Sequence, residues 1–199
     1  MKSKPIKLDV GRASDLPPGE REVVLLRQIA DRDWRAFELL YRSYYRRLIR
    51  FLDRLLPRPD LAEEVLNDTM LVVFRKADRF TNTSRVSTWI FGIAYRKALK
   101  ALKKAGFPFE ALSAEDAASA EANPEFVAIE RESSLVIRSM IATLSVEHRA
   151  VVELTYYHGC SYKEIADIVG CPVDTVKTRM FHARRKLKAL LAAQGNVPS

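Results

Sequence analysis

Lys177, Thr178, Arg179, Phe181, His182 and Arg185 lie close together in one short segment, and their side chains suit the edges and backbone of a nucleic acid. Lysine and arginine supply donors for phosphate oxygens or for the acceptor edge of guanine, a threonine hydroxyl bonds a base edge, and a phenyl ring meets a thymine methyl. A histidine donates one hydrogen bond when neutral and two when charged. Lys177 and Arg179 fit either phosphate or base edges. The run Arg184-Arg185-Lys186 with Lys188 suits the nucleic-acid backbone or plain solvation.

These residues can act together only if something presents them on one face. Val176, Met180, Ala183 and Leu187 recur at steps of four, three and four, which predicts a helix packing that stripe inward. Lys177, Thr178, Phe181, His182 and Arg185 then face outward. Upstream, Ser161 is a predicted N-cap with Glu164 at the capping-box position, and Tyr162, Ile165, Ala166 and Val169 form one apolar face. Gly170 ends that helix where a positive φ is needed, and Pro172 and Asp174 set up the next, with Asp174 as its expected N-cap. A short helix, a glycine turn and a second helix with a basic, aromatic face make a helix-turn-helix whose second helix enters a major groove. An ordinary helical hairpin with a solvated basic face is the alternative; the agreement of apolar phase, glycine and caps favours the groove-reading motif.

A second group combines rings with cations. Trp89, Phe91 and Tyr95 interleave with Arg96, Lys97, Lys100, Lys103 and Lys104, after the polar loop Thr81, Asn82, Thr83, Ser84 and Arg85 that runs on to Ser87. Rings stack on unpaired bases and cations hold phosphates, so this pattern suits single-stranded DNA. Trp89, Ile93 and Leu99 read better as core, while Tyr95 and the lysines fit either role. A third group is acidic: Glu64, Asn67, Asp68 and Leu71 share one helical surface within an otherwise basic chain. Such a face repels DNA and fits a protein partner or plain solvation.

The elements carrying these groups are almost all helical by periodicity. Residues 1–20 hold Pro5, Gly11, Pro17, Pro18 and Gly19 and read as a flexible tail. One helical pattern runs from Glu22 to about Leu56, stopped by Pro57 and Pro59. Asp60 is the expected N-cap of the next helix, with Glu63 three residues on, extending to about Phe80. A further helix is predicted from Ser87 to Lys104, ending at Gly106 and Pro108, and helical patterning resumes from Phe126 to about Ala193. Between them Ala111 to Ala122 is rich in Ala, Ser and acidic residues. The predicted organisation is all-α: a tail (1–20), a helical domain (21–106), a flexible linker (107–128) and a helix-turn-helix domain (129–194). A tether of about 20 residues spans at most about 66 Å.

Bulk properties agree with these assignments. The 199 residues carry a formal net charge of +8, which favours polyanionic partners. No apolar run approaches the roughly 20 residues needed to cross a bilayer, and the basic start lacks the apolar core of a secretory signal, so a cytoplasmic location is expected. Cys160 and Cys171 lack the companions of a metal site and read as small, half-buried residues. No phosphate-binding glycine loop, paired-carboxylate site or nucleophile motif is present, so no cofactor, no metal and no enzymatic activity are expected.

Taken in order, these segments resemble the extracytoplasmic-function (ECF) group of the sigma-70 family over nearly the whole chain, from about Arg21 to Leu191. Residues 60–69 with 73–80 resemble region 2.2, residues 87–94 resemble region 2.3, and residues 144–145 through 162–166 with 175–184 resemble region 4. The resemblance implies that Glu64, Asn67, Asp68 and Leu71 bind the RNA polymerase core. It implies that Thr81, Asn82, Thr83, Ser84, Arg85, Tyr95, Arg96, Lys97 and Lys100 read and melt the promoter −10 element as single strands. Lys177, Thr178, Arg179, Phe181, His182 and Arg185 would read the −35 element as duplex, and an anti-sigma factor would hold the protein inactive. Asn67 stands where the family usually has Gln, and Arg96 where many members have Asn; a guanidinium cannot accept a hydrogen bond from a base. A stand-alone helix-turn-helix regulator would explain residues 161–191 but not the acidic or aromatic-basic helices, and a nucleic-acid-processing enzyme is a third reading.

Overall fold

The computed structural model describes residues 16–107 and 131–194. Among them the chain forms eight α-helices and one 3-10 turn, and no strand. The expected all-α class holds. Most of the tail and nearly all of the linker predicted at 107–128 lie outside the described residues.

Helix α1 spans Pro18–Ala30, so it begins inside the stretch assigned to the tail. Pro18 occupies the first helical turn, where its missing N–H and fixed φ fit helix entry. The single helical pattern predicted from Glu22 to Leu56 is two helices. Arg32 adopts φ 66°, and the Asp33 carboxylate accepts from Arg35 N–H at 2.8 Å and Ala36 N–H at 3.2 Å. That cap starts α2, Trp34–Leu55, afresh after the turn. Periodicity alone missed the break because apolar residues continue on both sides of it.

Helix α3 spans Pro59–Lys76 and continues into a 3-10 turn, Ala77–Arg79. Pro59, expected to stop a helix, opens this one. Arg58 rather than Asp60 holds the N-cap position, without a side-chain cap; Asp60 lies in the first turn, where it accepts from Arg58 Nη2 at 2.7 Å. Helix α4 spans Val86–Lys104 and is followed by Gly106 at φ 77°. Leu40, Leu48, Phe51, Leu66, Met70, Ile90 and Phe91 are among the fully buried side chains of this four-helix unit.

The second unit holds α5 (Arg131–Ala142), α6 (Val146–Tyr156), α7 (Tyr162–Val169) and α8 (Val173–Gln194). The predicted capping box is present: Ser161 N–H donates to Glu164 Oε2 at 2.8 Å, and Glu164 N–H donates to Ser161 Oγ at 3.3 Å. Gly170 closes α7 at φ 71°, ψ 41°, a left-handed conformation that strains any side chain. Asp174 is not the N-cap of α8. It lies one residue inside the helix, and the Pro172 carbonyl accepts the first-turn bond from Val176.

The two units are in contact. Helix α7 packs along α4 and α6 packs along α2, so that the buried residues form one continuous hydrophobic cluster. No helix among the described residues is long and apolar enough to cross a membrane. No group of three or more His, Cys, Asp or Glu among them is placed to hold a metal ion, and both cysteines are free thiols, half-buried as expected.

Candidate nucleic-acid and protein interfaces

On α8 the inward stripe is as predicted: Val176, Met180 and Ala183 are buried and Leu187 is half-buried. Lys177, Thr178, Phe181, His182 and Arg185 are exposed. Phe181, 61% exposed, has the Arg185 guanidinium 6.0 Å from its ring centre and the His182 ring at 5.5 Å. Lys177 Nζ donates to Asp174 Oδ1 at 2.8 Å, and that hydrogen bond holds the Asp174 carboxyl below its usual range and raises the lysine. Thr178 Oγ1 bonds back to the Asp174 carbonyl at 3.0 Å.

Arg179 departs from the rest of the reading set. It is half-buried, and its Nη1 lies 3.9 Å from Cys171 Sγ, so it reaches back over the turn. Part of the downstream basic run is also committed within the protein: Arg184 Nε donates to Tyr156 Oη at 3.0 Å and Lys186 Nζ to the Thr143 carbonyl at 2.6 Å.

On α3 Glu64, Asn67, Asp68 and Leu71 are all exposed along one face. Asn67 Oδ1 accepts from Tyr41 Oη at 2.9 Å, and Asp68 Oδ2 pairs with Lys97 Nζ of α4 at 2.7 Å. Beside this face runs an aromatic strip. Trp34, 65% exposed, stacks on Phe74 at 4.3 Å, and Phe37 and Tyr41 continue the strip to Tyr45. The restart of α2 at Trp34 sets its phase: Ala36, Leu40, Tyr44 and Leu48 point inward, leaving Phe37, Tyr41 and Tyr45 one position around. The four-residue steps from Ala36 carried that signal.

The loop before α4 is open to solvent. Thr81, Asn82, Thr83 and Arg85 are exposed, Ser84 half so, and Asn82 takes φ 58°. An open groove lies between this loop and the start of α1, bordered by Glu20, Arg27, Asn82 and Arg85. Arg96 and Lys100 are exposed and Lys97 is half-buried. Trp89 packs against Phe80 with ring centres 5.5 Å apart, consistent with a core role. Tyr95 is only 2% exposed. Burial, with Glu147 close by, pushes its hydroxyl up to about 12, and Arg179 and Cys171 of the second unit are also near.

The seam between the units contains polar groups. Arg149 donates to the Ala142 and Leu144 carbonyls of its own unit and, at 2.9 Å, to the Arg54 carbonyl of the other. Glu153 is fully buried, and burial raises its carboxyl; its nearest cation is Arg54 Nε at 3.8 Å. The His158 ring sits between Phe51 and Phe91, at 5.8 and 4.7 Å, and burial with Arg47 and Arg50 lowers it to about 4. Arg85 Nη1 of the loop pairs with Glu164 Oε1 of the capping box at 3.2 Å.

Comparison with known proteins bears on both units. Residues 40–107 match the family model described as Sigma-70 region 2, and residues 134–187 match that of Sigma-70, region 4. The ECF RNA polymerase sigma-E factor of Escherichia coli (strain K12) is 30% identical over 174 residues, covering 82% of this chain and 91% of that protein. The RNA polymerase sigma-H factor of Pseudomonas aeruginosa is 28% identical over 182 residues, covering 86% and 94%. Among solved structures, the sigma factor RpoE in complex with the anti-sigma factor NepR from Bartonella quintana is similar with a TM-score of 0.63 at 26% identity, covering 78% of this chain and 96% of that one. CnrH in complex with the cytosolic domain of CnrY shares the fold, with a TM-score of 0.65 at 24% identity, covering 86% and 97%.

Proposed function

The chain belongs to the ECF group of the sigma-70 family, and on that premise we propose that it directs RNA polymerase core to promoters through three separate surfaces. The observation that carries this reading is the coexistence in one chain of an exposed acidic face on α3, an open polar loop leading into α4, and an outward Lys177–Arg185 face on α8. A stand-alone regulator needs only the last of these.

The division of labour follows from the chemistry of each surface. Glu64, Asn67, Asp68 and Leu71, with the aromatic strip beside them, form the core-binding face; exposed rings next to carboxylates suit a basic, partly apolar protein surface. Thr81, Asn82, Thr83, Ser84, Arg85, Arg96, Lys97 and Lys100 form the −10 surface, where cations hold the phosphates of unpaired strands. Lys177, Thr178, Phe181, His182 and Arg185 read the −35 duplex. Arg179 serves there only if it swings out from Cys171, and Tyr95 joins the −10 surface only when uncovered. The protein works in the cytoplasm, with polymerase, and performs no covalent chemistry itself. An anti-sigma factor is the expected inhibitor, as a similar sigma factor has been solved in complex with one.

Reconstitution tests the reading. Purified polymerase core supplemented with this chain should start transcription from a subset of promoters in the source genome, and core alone should not. Asp68→Arg should weaken core binding while leaving the helical content and melting intact. Initiation at no promoter would overturn the proposal, and unchanged core affinity in Asp68→Arg would return the α3 face to plain solvation.

A further inference from the structure

Beside the reading face of α8 lies a histidine that the promoter-reading set leaves out. His148 stands in the first turn of α6, half-buried, with its ring centre 6.3 Å from that of the exposed His182. With Ser145, Arg185 and Lys186 the two rings border an open notch between α6 and α8, and the buried Leu144 and Ala183 complete its lining. Ser145 Oγ lies 2.6 Å from His148 Nδ1, which holds the ring and leaves Nε2 for a ligand.

The charges around this ring are unbalanced. Arg179, His182 and Lys186 of α8 face it, and among the described residues Glu147 is the carboxylate close by. Glu147 also lies near Tyr95 of α4. Burial, and then the Arg179 guanidinium, holds the His148 imidazole below its usual value, and a place in the first turn of a helix also disfavours a cation. The free chain therefore keeps a neutral ring among cations. An anion seated in the notch reverses that balance.

Position says which anion. A major groove is about 12 Å wide and admits one helix, so with α8 inserted the bordering phosphates stand roughly 6 Å from its axis. Helix α6 packs against α8, and packed helices lie about 8–10 Å apart. A side chain on α6 beside the reading face therefore meets backbone, not base edges. Resting on the initiation-factor reading, we propose that His148, His182 and Arg185 seat a backbone phosphate of the −35 duplex, and that filling this seat draws a proton from solvent onto His148. The phosphodiester stays ionised throughout, so the proton belongs to the ring. A group whose proton affinity rises on binding makes that binding tighter as pH falls. The contact carries no sequence information; it fixes how α8 sits in the groove.

A phosphate contact is read on any duplex, so the probe is a DNA duplex of arbitrary sequence, about 20 base pairs long, at low salt. Anisotropy titrations with the full-length chain compare about pH 7.5 with about pH 6. Over that interval wild-type affinity should rise about fivefold more than that of His148→Gln. His148→Lys, whose charge is permanent, should bind at the higher pH about as tightly as wild type does at the lower, with the shallow profile of the glutamine variant. Parallel profiles for wild type and His148→Gln would overturn the proposal, as would His148→Lys binding no better than His148→Gln. A weaker grip of His148→Gln on polymerase core, with duplex profiles unchanged from wild type, would give the notch to a protein partner and overturn it too. The titration needs no polymerase. A chain that shows the proton-linked seat but never initiates sinks the initiation-factor reading and leaves the seat standing, whereas one that initiates with parallel profiles sinks the seat alone.

Discussion

At the residue scale, position on the helix matters more than residue type. Lys177 and Arg179 are both cations in the same turn of α8, but Lys177 is exposed and held only by Asp174, while Arg179 folds back onto Cys171. Lys177→Ala should therefore weaken promoter binding by roughly 1–3 kcal/mol with loss of preference at one base pair if Lys177 reads an edge. Binding assays across substituted −35 sequences check this, and a uniform loss would make it a phosphate contact. His158 gives a pH prediction. Its ring is lowered to about 4 from 6.5, so the folded chain declines a proton that the unfolded chain takes between those values. The stability it contributes is complete above pH 6.5 and is lost as pH falls toward 4. Relative to His158→Leu, the wild type should lose on the order of 1 kcal/mol more between pH 7 and 5, discounted for the ring's partial solvation. Denaturant melts of both proteins measure it, and parallel pH profiles would refute it. Glu153 responds in the opposite sense, because burial raises its carboxyl and acid relieves it, but it is present in both proteins and cancels.

At the element scale, caps decide where helices begin and hence which residues share a face. Asp33 restarts the chain after Arg32, and this phase puts Tyr41 beside Asn67 and stacks Trp34 on Phe74 at the edge of the core. The Ser161–Glu164 box and Gly170 fix both ends of α7, and α7 sets the pitch of α8. Ser161→Ala should cost about 1 kcal/mol of stability, read as a lower melting midpoint, because the Glu164 N–H loses its acceptor. It should also loosen the Arg85–Glu164 pair, since Ser161 helps hold that carboxylate in place. A midpoint equal to wild type would show that solvent replaces the cap at no cost. The caps predicted at Asp60 and Asp174 failed for a shared reason: a proline just upstream starts each helix earlier, which moves the aspartate into the first turn. There its charge still favours the helix dipole.

At the scale of the whole molecule, the all-α class, the helix-turn-helix, the outward set on α8 and the acidic set on α3 were legible in the amino-acid order. Each rests on interactions between residues a few positions apart: apolar periodicity, a serine three residues before a glutamate, a glycine where φ must be positive. The family rests on something else, the resemblance of several ordered segments to known regions and the matches to both family models. The burial of Tyr95, the withdrawal of Arg179, the aromatic strip spanning α2 and α3, and the contact of α7 with α4 were not legible. Those depend on which surfaces meet between segments tens of residues apart, and a local pattern shows that a face is apolar or charged without naming what it will touch. Tyr95 shows the limit: an aromatic among cations has the same sequence signature whether it faces a base or another helix, and only tertiary packing chose between them.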